Sequence, residues 1–222
     1  MRTKTTLAAA AILAAGLVSS MAQANVYSLN VVGYVNVTVE GGGAYNLLAN
    51  PLNNTAGNDL NTLFSGPQAN TSQVLTWDTD LFDFSAVQPS YAAGAWSANV
   101  PLPVGKGFFY VNQGTTFTQT FVGEVVQGSF TNVVTGSGAY NLIGASVPEG
   151  GNFTAAITGL SPANTDQVLK WDVNTFDFAT VQPSYAAGAW SPATLTINPA
   201  EGFFYVRQGP TVNWVRNFTV AP

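Results

Sequence analysis

The stretch VQPSYAAGAWS occupies Val87–Ser97 and recurs without a change at Val181–Ser191. The identity extends outward, because GAYNL, QVL-x-WD and GFFYV-x-QG also occur twice and in the same order. Corresponding residues are 94 positions apart at Val87 and Val181, and 95 apart at Gly43 and Gly138. A fixed period is the signature of a duplicated folding unit. The chain is therefore predicted to contain two tandem repeats of about 95 residues, 25–125 and 126–222.

The first 24 residues are typical of an export signal and belong to neither repeat. Arg2 and Lys4 give a positive start, the apolar run Leu7–Val18 follows, and AQA at Ala22–Ala24 is a typical cleavage site. The apolar run is shorter than the ~20 residues that a membrane-spanning helix needs. We therefore expect a mature chain that begins at Asn25, has no membrane span, and is secreted to the cell surface or beyond.

Charge and composition disfavour several kinds of partner and chemistry. Removal of Arg2 and Lys4 leaves four basic residues against eleven acidic ones, a net charge of −7, so nucleic acid is not an expected partner. Charged residues are only 8% of the chain, against about 25% in a typical soluble domain. Such a surface suits a sugar ligand or self-association. The sequence contains no His and no Cys, so the commonest general base and metal ligand is missing.

Hydrophobic patterning predicts an all-β fold. Runs rich in β-branched and aromatic residues, such as Val31–Val39 and Gly107–Asn112, alternate with turn signals such as Gly41–Gly43. About seven short strands per repeat are typical of a β-sandwich or a small barrel. The Phe-Phe-Tyr-Val run inside Gly107–Asn112 is expected to be buried on both faces. One short helix is expected in each repeat, at Asn58–Phe64 and Asn152–Leu160.

Similar stretches lie before, between and after the main blocks of the two repeats. VYSLNVVGYV at Val26–Val35 is similar to TFTQTFVGEV at Thr116–Val125, and TVNWVRNFTV at Thr211–Val220 alternates in a related way. Two interpretations remain open: each strand closes its own sheet, or the terminal strands are free edges that pair with another chain. The second interpretation gives the assembly strands Val26, Tyr27, Leu29, Val31, Val215, Phe218 and Val220.

The duplicated stretch itself offers a candidate ligand site. Tyr91 and Trp96, repeated as Tyr185 and Trp190, lie in a predicted loop that Pro89 and small alanines would stiffen. A rigid loop that presents Tyr and Trp can stack on sugar rings. The alternative is that each tryptophan closes the end of a core, since Trp is usually largely buried. Polysaccharide is therefore a candidate partner, beside a second copy of the chain.

A calcium site is a weaker candidate. Both repeats contain D-x-[DN]-x-x-D, a pattern that gathers oxygen ligands suited to Ca²⁺. The pattern lacks the glycine and the distant Glu of an EF-hand loop, and Asp and Asn are also favoured in tight turns, where they bond nearby amides. A turn without metal is the favoured interpretation, and no other cofactor is indicated. The residues concerned are Asp78, Asp80, Asp83, Asp172, Asn174 and Asp177.

Catalysis has little support in the sequence. No G-x-S-x-G motif is present, and no serine stands in a recognisable motif with a lysine. Glu124, Glu149 and Glu201 have no counterpart in the other repeat, so a glycoside-active enzyme with paired carboxylates stays a remote alternative. We interpret the chain as non-enzymatic.

The repeat resembles a β-sandwich module common in secreted and cell-surface bacterial proteins, with the pattern G-W-N-L-I-G-N-P, then W-D, then P-G-x-G-F-F-V. The second repeat lacks the Asn-Pro pair of the first block. The resemblance implies an extracellular β module without catalytic residues. Together with composition, it predicts a structural or surface protein that acts through packing or self-assembly, with carbohydrate binding as the alternative. The matching stretches are Gly43–Pro51, Trp77–Asp78 and Pro103–Val111, and then Tyr140–Gly144, Trp171–Asp172 and Pro199–Val206.

Overall fold

The computed structural model describes residues 31–220, and over this range the predicted all-β fold is confirmed. The first module, as we name the elements up to β9, contains β1 (Val32–Val39), β2 (Ala44–Ala49), α1 (Leu60–Leu63), β3 (Gln73–Leu75), β4 (Trp77–Asp78), β5 (Asp83–Phe84), β6 (Tyr91–Ala92), β7 (Ala95–Trp96), β8 (Gly107–Asn112) and β9 (Phe117–Glu124).

The second module contains the same order of elements with two additional short strands, β12 and β18. Its elements are β10 (Gly128–Val134), β11 (Ala139–Gly144), β12 (Gly151–Asn152), α2 (Phe153–Ala156), β13 (Gln167–Leu169), β14 (Trp171–Asp172), β15 (Asp177–Phe178), β16 (Ser184–Ala186), β17 (Ala189–Ser191), β18 (Thr196–Ile197), β19 (Gly202–Arg207) and β20 (Val212–Phe218).

Each module combines a long two-stranded ribbon with a sheet. In the first module β1 pairs with β9, and β2, β8 and β3 form an antiparallel sheet in that order. In the second, β10 pairs with β20, and β11, β19 and β13 form a sheet that β16 and β17 extend. The ribbon and the sheet bury apolar side chains against each other, so each module has its own core. In the first module this core includes Val35, Val39, Leu48, Phe108, Tyr110 and Phe121.

The central strand of each sheet is buried on both faces, as the Phe-Phe-Tyr-Val run predicts. All six residues of β8 are buried. Because side chains alternate along a strand, Phe108 and Tyr110 enter the core of their own module, while Phe109 and Val111 face the other way. The second face is covered by the second module.

The two modules share a third apolar core, built from equivalent residues of both sheets. Trp77 and Phe84 pack against it from the first module, and Trp171 and Phe178 from the second. The contacts are reciprocal, as in an isologous interface: Trp77 lies 5.1 Å from Phe204, and Trp171 lies 5.2 Å from Phe109, between ring centroids. The eight buried members are Leu47, Leu75, Phe109 and Val111, with Leu142, Leu169, Phe204 and Val206.

The duplicated stretch forms a hairpin, where the sequence analysis expected a loop. β6 and β7 pair across a turn of Ala93 and Gly94, whose φ angles are +52° and +87°. Two consecutive positive φ values are the geometry of a type I′ turn, which matches the twist of the flanking strands. Ala187 and Gly188 repeat this turn at +51° and +85°. An alanine at positive φ is uncommon, so the residues of this turn do not predict a hairpin.

Both predicted helices are present, and each is a single turn. Asp59 caps the first, because its carboxylate accepts a hydrogen bond from the Thr62 amide at 3.0 Å. Asn152 caps the second through the Thr154 amide, also at 3.0 Å. Such caps satisfy amides that have no partner inside a helix.

Two backbone hydrogen bonds cross between the modules beside the shared core. The Ala49 amide donates to the Ala200 carbonyl at 2.8 Å, and the Gly144 amide donates to the Gly105 carbonyl at 3.0 Å. Ala49 and Gly144 are equivalent positions of the repeat, and they meet face to face. A Cβ added to Gly144 would lie 2.2 Å from the Ala49 Cβ, so the interface has room for one methyl group and not for two.

Gly144→Ala is expected to reduce the free energy of unfolding by about 1–3 kcal/mol, the usual cost of overpacking. Adding Ala49→Gly in the same chain should recover most of the loss, because it removes the opposing methyl group. Urea unfolding of the three variants measures both effects, with Ala49→Gly alone as the control. If Ala49→Gly gives no recovery, the two positions do not meet.

Candidate functional site

A groove of about 990 Å³ runs between the two modules. One wall is the β1 strand of the first module, with part of β2 at its side. The opposite wall is the β14–β15 hairpin of the second module together with the Asn198–Glu201 turn. The lining residues are Tyr34, Val35, Asn36, Val37, Thr38, Glu40, Asn46, Leu47, Leu48, Pro148, Lys170, Trp171, Asp172, Val173, Asn174, Ala179, Asn198, Pro199 and Glu201.

Five consecutive residues of β1 line this groove. Because side chains alternate between the two faces of a strand, consecutive residues line a groove only where it runs along the edge of the strand. The pairing register shows which backbone groups point into it. The Val125 amide donates to the Val31 carbonyl at 2.8 Å, so this opposed pair is hydrogen-bonded. Bonded and non-bonded pairs alternate along an antiparallel ladder. The amides and carbonyls of Tyr34, Asn36 and Thr38 therefore point away from β9, and no other described strand pairs with them.

The outer face of the β1–β9 ribbon beside this edge is exposed, and it is apolar at the end near Val32 and polar further along, at Asn36 and Thr38. Tyr34 is 72% exposed and Val32 is 56% exposed. Val122, which is directly opposite Tyr34 on β9, is 39% exposed. Natural proteins usually protect a free edge with charges, proline or a bulge, yet β1 contains no charged residue and no proline, and its register is unbroken. The lack of charge in this stretch is visible in the sequence and indicates an unprotected edge once the strand pairing is known.

The far end of the groove is closed by side-chain bonds between β1 and β2. The Asn46 amide group accepts from the Glu40 amide at 2.7 Å and donates to the Glu40 carbonyl at 2.9 Å. The Trp171 indole donates to the Tyr45 carbonyl at 2.7 Å, so the second module is fixed to the edge of β2. The edge of β1 has no such partner among the described residues.

The groove is acidic. Glu40, Asp172 and Glu201 line it together with one base, Lys170. Lys170 forms an ion pair with Glu201 at 2.9 Å, while within residues 31–220 Glu40 and Asp172 form no ion pair. A cationic or neutral occupant fits this charge better than an anion.

Of the aromatic residues predicted as a sugar platform, both tryptophans pack against the module cores, while Trp96, Tyr185 and Trp190 stay partly exposed. Tyr91 is buried, and its ring meets Trp96 edge to face at 5.3 Å. Trp96 in turn packs on Tyr110 at 6.1 Å. Tyr185 and Trp190 repeat the first contact at 5.3 Å, and Trp190 also packs on Phe153 at 5.1 Å. These contacts correspond to the alternative in which the tryptophans close each core.

The residues predicted as calcium ligands cap turns. The Asp78 carboxylate accepts from the Asp80 and Leu81 amides, and the Asp172 carboxylate accepts from the Asn174 amide. Asp83 and Asp177 each accept from the following amide at 2.7 Å. No group of three or more His, Cys, Asp or Glu side chains that could hold a metal ion occurs within residues 31–220.

Of the predicted assembly residues, Val26, Tyr27 and Leu29 lie outside the described residues. Val31 packs at the margin of the first core, as do Phe218 and Val220 from the end of the chain. Val215 pairs with Thr131 inside the second ribbon. Its carbonyl lies against the backbone of Gly159, where an added Cβ would approach to 2.2 Å. The C-terminal strand is thus engaged within its own chain on both edges.

The three glutamates without repeat counterparts have structural contacts. Glu149 pairs with Arg216, and Glu201 pairs with Lys170. The Glu124 backbone exchanges two hydrogen bonds with Asn53, at 2.8 and 2.9 Å. The structure does not bring the three carboxylates together in the groove, where only Glu201 is found.

A buried ion pair distinguishes the second module from the first. Asp166 is fully buried and accepts hydrogen bonds from Arg207 at 2.8 Å and from the Tyr205 hydroxyl at 2.6 Å. Burial alone would raise the pKa of Asp166, but these bonds and two backbone amides outweigh it and hold the pKa below its usual range. Burial and the Asp166 carboxylate raise the pKa of Tyr205, so its hydroxyl stays a donor.

The first module fills the equivalent positions with a neutral pair, Ser72 and Asn112. Ser72 accepts from the Gln113 amide at 3.2 Å, and Asn112 donates to the Thr115 carbonyl at 2.9 Å. Both residues of the pair changed together between the repeats, as expected when a buried charge needs its partner. This polar cluster therefore belongs to the fold and not to a reactive site.

Comparisons with protein-family models, curated proteins and solved structures found no match. No helix within residues 31–220 is long and apolar enough to cross a membrane.

Asp166→Ser alone should destabilise the protein by about 3–5 kcal/mol, because it leaves Arg207 buried without its counter-ion. The double variant Asp166→Ser/Arg207→Asn reproduces the first module's pair and should recover most of this loss. Chemical denaturation of both variants gives the two values. Equal destabilisation by the single and double variants would show that Asp166 and Arg207 do not act as a buried ion pair.

The same pair predicts a pH dependence of stability. Because the folded pKa of Asp166 is depressed, its contribution is complete above the pKa of an unfolded aspartate, about 3.9, and is lost as the pH falls through the lower folded value. The stability difference between wild type and the double variant should therefore shrink on acidification below pH ~4. Urea titrations at neutral and acidic pH measure it, and a difference that does not change with pH would refute the assignment.

Proposed function

We propose that this chain is a non-enzymatic, extracellular structural protein whose two β modules work at the cell surface by packing and self-assembly. The observation that carries the proposal is the unprotected edge of β1. A row of amides and carbonyls at Tyr34, Asn36 and Thr38 borders an open groove, and the apolar side chains of Val32 and Tyr34 are exposed beside it. Edges of this kind pair with further strands, because each added strand satisfies a row of backbone groups.

The low charge of the surface supports the same proposal. Only 8% of the residues are charged, so copies of the chain repel one another weakly at short range. Salt further screens a net negative charge over about 8–10 Å. The predicted export signal would deliver the protein to a compartment where a surface layer or fibre is useful.

The charged residues of the second module support a non-enzymatic role. Asp166, Glu149 and Glu201 are each paired with a base, and Asp172 caps a turn. A glycoside-active enzyme needs two carboxyl groups set about 5–10 Å apart across one substrate position. The groove contains carboxylates from different elements, but Glu201 is neutralised by Lys170 at 2.9 Å.

Carbohydrate binding through Tyr91, Trp96, Tyr185 and Trp190 is less well supported, because a stacking platform needs an exposed ring face. Tyr91 is buried, and the other three rings, which are partly exposed, pack edge to face on neighbouring aromatic rings. Tryptophan fluorescence during titration with soluble polysaccharides separates the two functions. A glycan-dependent shift that disappears in Trp96→Ala would favour sugar binding.

The mature chain, Asn25–Pro222, is expected to form filaments or sheets at micromolar concentration. Size-exclusion chromatography and negative-stain electron microscopy of one sample measure this directly. Asn36→Lys places a charge on the free edge and should reduce assembly, while Thr131→Lys at the equivalent position of β10 is the matched control. A wild-type chain that stays monomeric at all concentrations would refute the proposed function.

A further inference from the structure

We propose that the free edge of β1 is the acceptor for one specific strand, the mature N-terminal segment Asn25–Asn30 of a second copy of this chain. The inference rests on the proposed function, since it names the partner of the same edge. The donor segment would lie in the groove between the modules and extend the β1–β9 ribbon by one strand. Repetition of this step joins copies into a chain.

The acceptor side is defined by the register of β1. Tyr34, Asn36 and Thr38 present amides and carbonyls to the groove, and they alternate with residues bonded to β9. The partner strand of each ribbon has a covered outer edge. Glu124 on β9 bonds to Asn53, and Val215 on β20 lies against Gly159. β1 and β10 are the remaining outer strands of the two ribbons, and of these two only β1 lines the groove of about 990 Å³.

The length of the donor matches the acceptor. A strand advances about 3.3 Å per residue, so the six residues Asn25–Asn30 span about 20 Å. The groove-lining part of β1, Tyr34–Thr38, is five residues and spans about 17 Å. The segment NVYSLN also contains the β-favouring residues Val26, Tyr27 and Leu29.

Charge also favours this donor. The segment contains no acidic side chain, and cleavage after Ala24 would give it a positive α-amino group. The groove contains Glu40 and Asp172, which form no ion pair in the part of the chain that the structure describes. An antiparallel donor would bring its amino terminus towards the end of β1, next to Glu40.

A second copy fits better than the segment of the same chain. Residues Asn25–Asn30 lead directly into β1, which Val31 fixes through its bond to Val125 at 2.8 Å. To pair with its own β1 edge, the segment would have to reverse direction, and a hairpin uses at least two residues. The four that remain would reach only the first half of β1 and would not extend to Thr38.

The test uses the full mature chain and a synthetic peptide of residues 25–30 with a fluorophore at its C-terminus. Fluorescence anisotropy at chain concentrations below assembly should show saturable binding, and a scrambled peptide of equal composition should bind at least tenfold more weakly. An excess of unlabelled peptide should also block filament growth. Equal binding of the scrambled peptide overturns the inference.

Two pairs of variants distinguish a specific effect on the edge of β1 from a general loss of stability. Asn36→Pro removes one amide that points into the groove, and proline is tolerated where an edge amide has no partner. Thr131→Pro is its counterpart in β10. Asn36→Lys and Thr131→Lys add a charge without altering the backbone, so they decide the question if the proline variants do not fold. At least tenfold weaker peptide binding is expected from the Asn36 changes alone.

The outcomes also separate this inference from the proposed function. Normal filaments from a folded Asn36→Lys chain, with unchanged peptide binding, would overturn the inference and leave self-assembly in place. A chain that never assembles but binds the peptide only when Asn36 is intact would overturn the proposed function and uphold the acceptor edge.

Discussion

The fold depends on a constraint in the central strands β8 and β19. All their residues are buried, so each strand needs an apolar layer on both faces, and one module supplies only one layer. Phe108 and Tyr110 face a ribbon of their own module, but Phe109 and Val111 would be exposed without the other module. Exposing such side chains costs about 25 cal/mol per Å² of apolar surface. The two modules are therefore one cooperative unit.

The two modules have the same residues at the shared core and differ at positions elsewhere. Residues that face it are equivalent in both modules, such as Leu47 with Leu142 and Phe109 with Phe204. Away from the shared core the modules differ at an exchanged pair of buried positions, where Ser72 and Asn112 stand in the first module and Asp166 and Arg207 in the second. The β1–β9 ribbon covers the core of the first module with one face, and the free edge of β1 borders the groove between the modules.

Much of the fold follows from patterns in the sequence. The Phe-Phe-Tyr-Val run predicts a strand buried on both faces, and both single-turn helices lie within the stretches predicted as helical, Asn58–Phe64 and Asn152–Leu160. The hairpin at Ala93–Gly94 was not predictable by turn chemistry, because alanine rarely adopts positive φ. The groove was not predictable either. The groove exists because one edge of β1 has no partner strand among the described residues. Hydrophobic patterning identifies strands, but it does not show which strands pair when they are distant in sequence.

The methyl group of Ala49 has a consequence for mispairing between chains. Opposed modules meet at Ala49 and Gly144, where two methyl groups would collide at 2.2 Å. A first module therefore fits a second module but clashes with another first module through the same surface. A domain-swapped pair built from two first modules is therefore disfavoured by the steric clash of one methyl group from each module. The difference of one methyl group between the equivalent positions Ala49 and Gly144 thus makes the interface favour unlike modules over like ones.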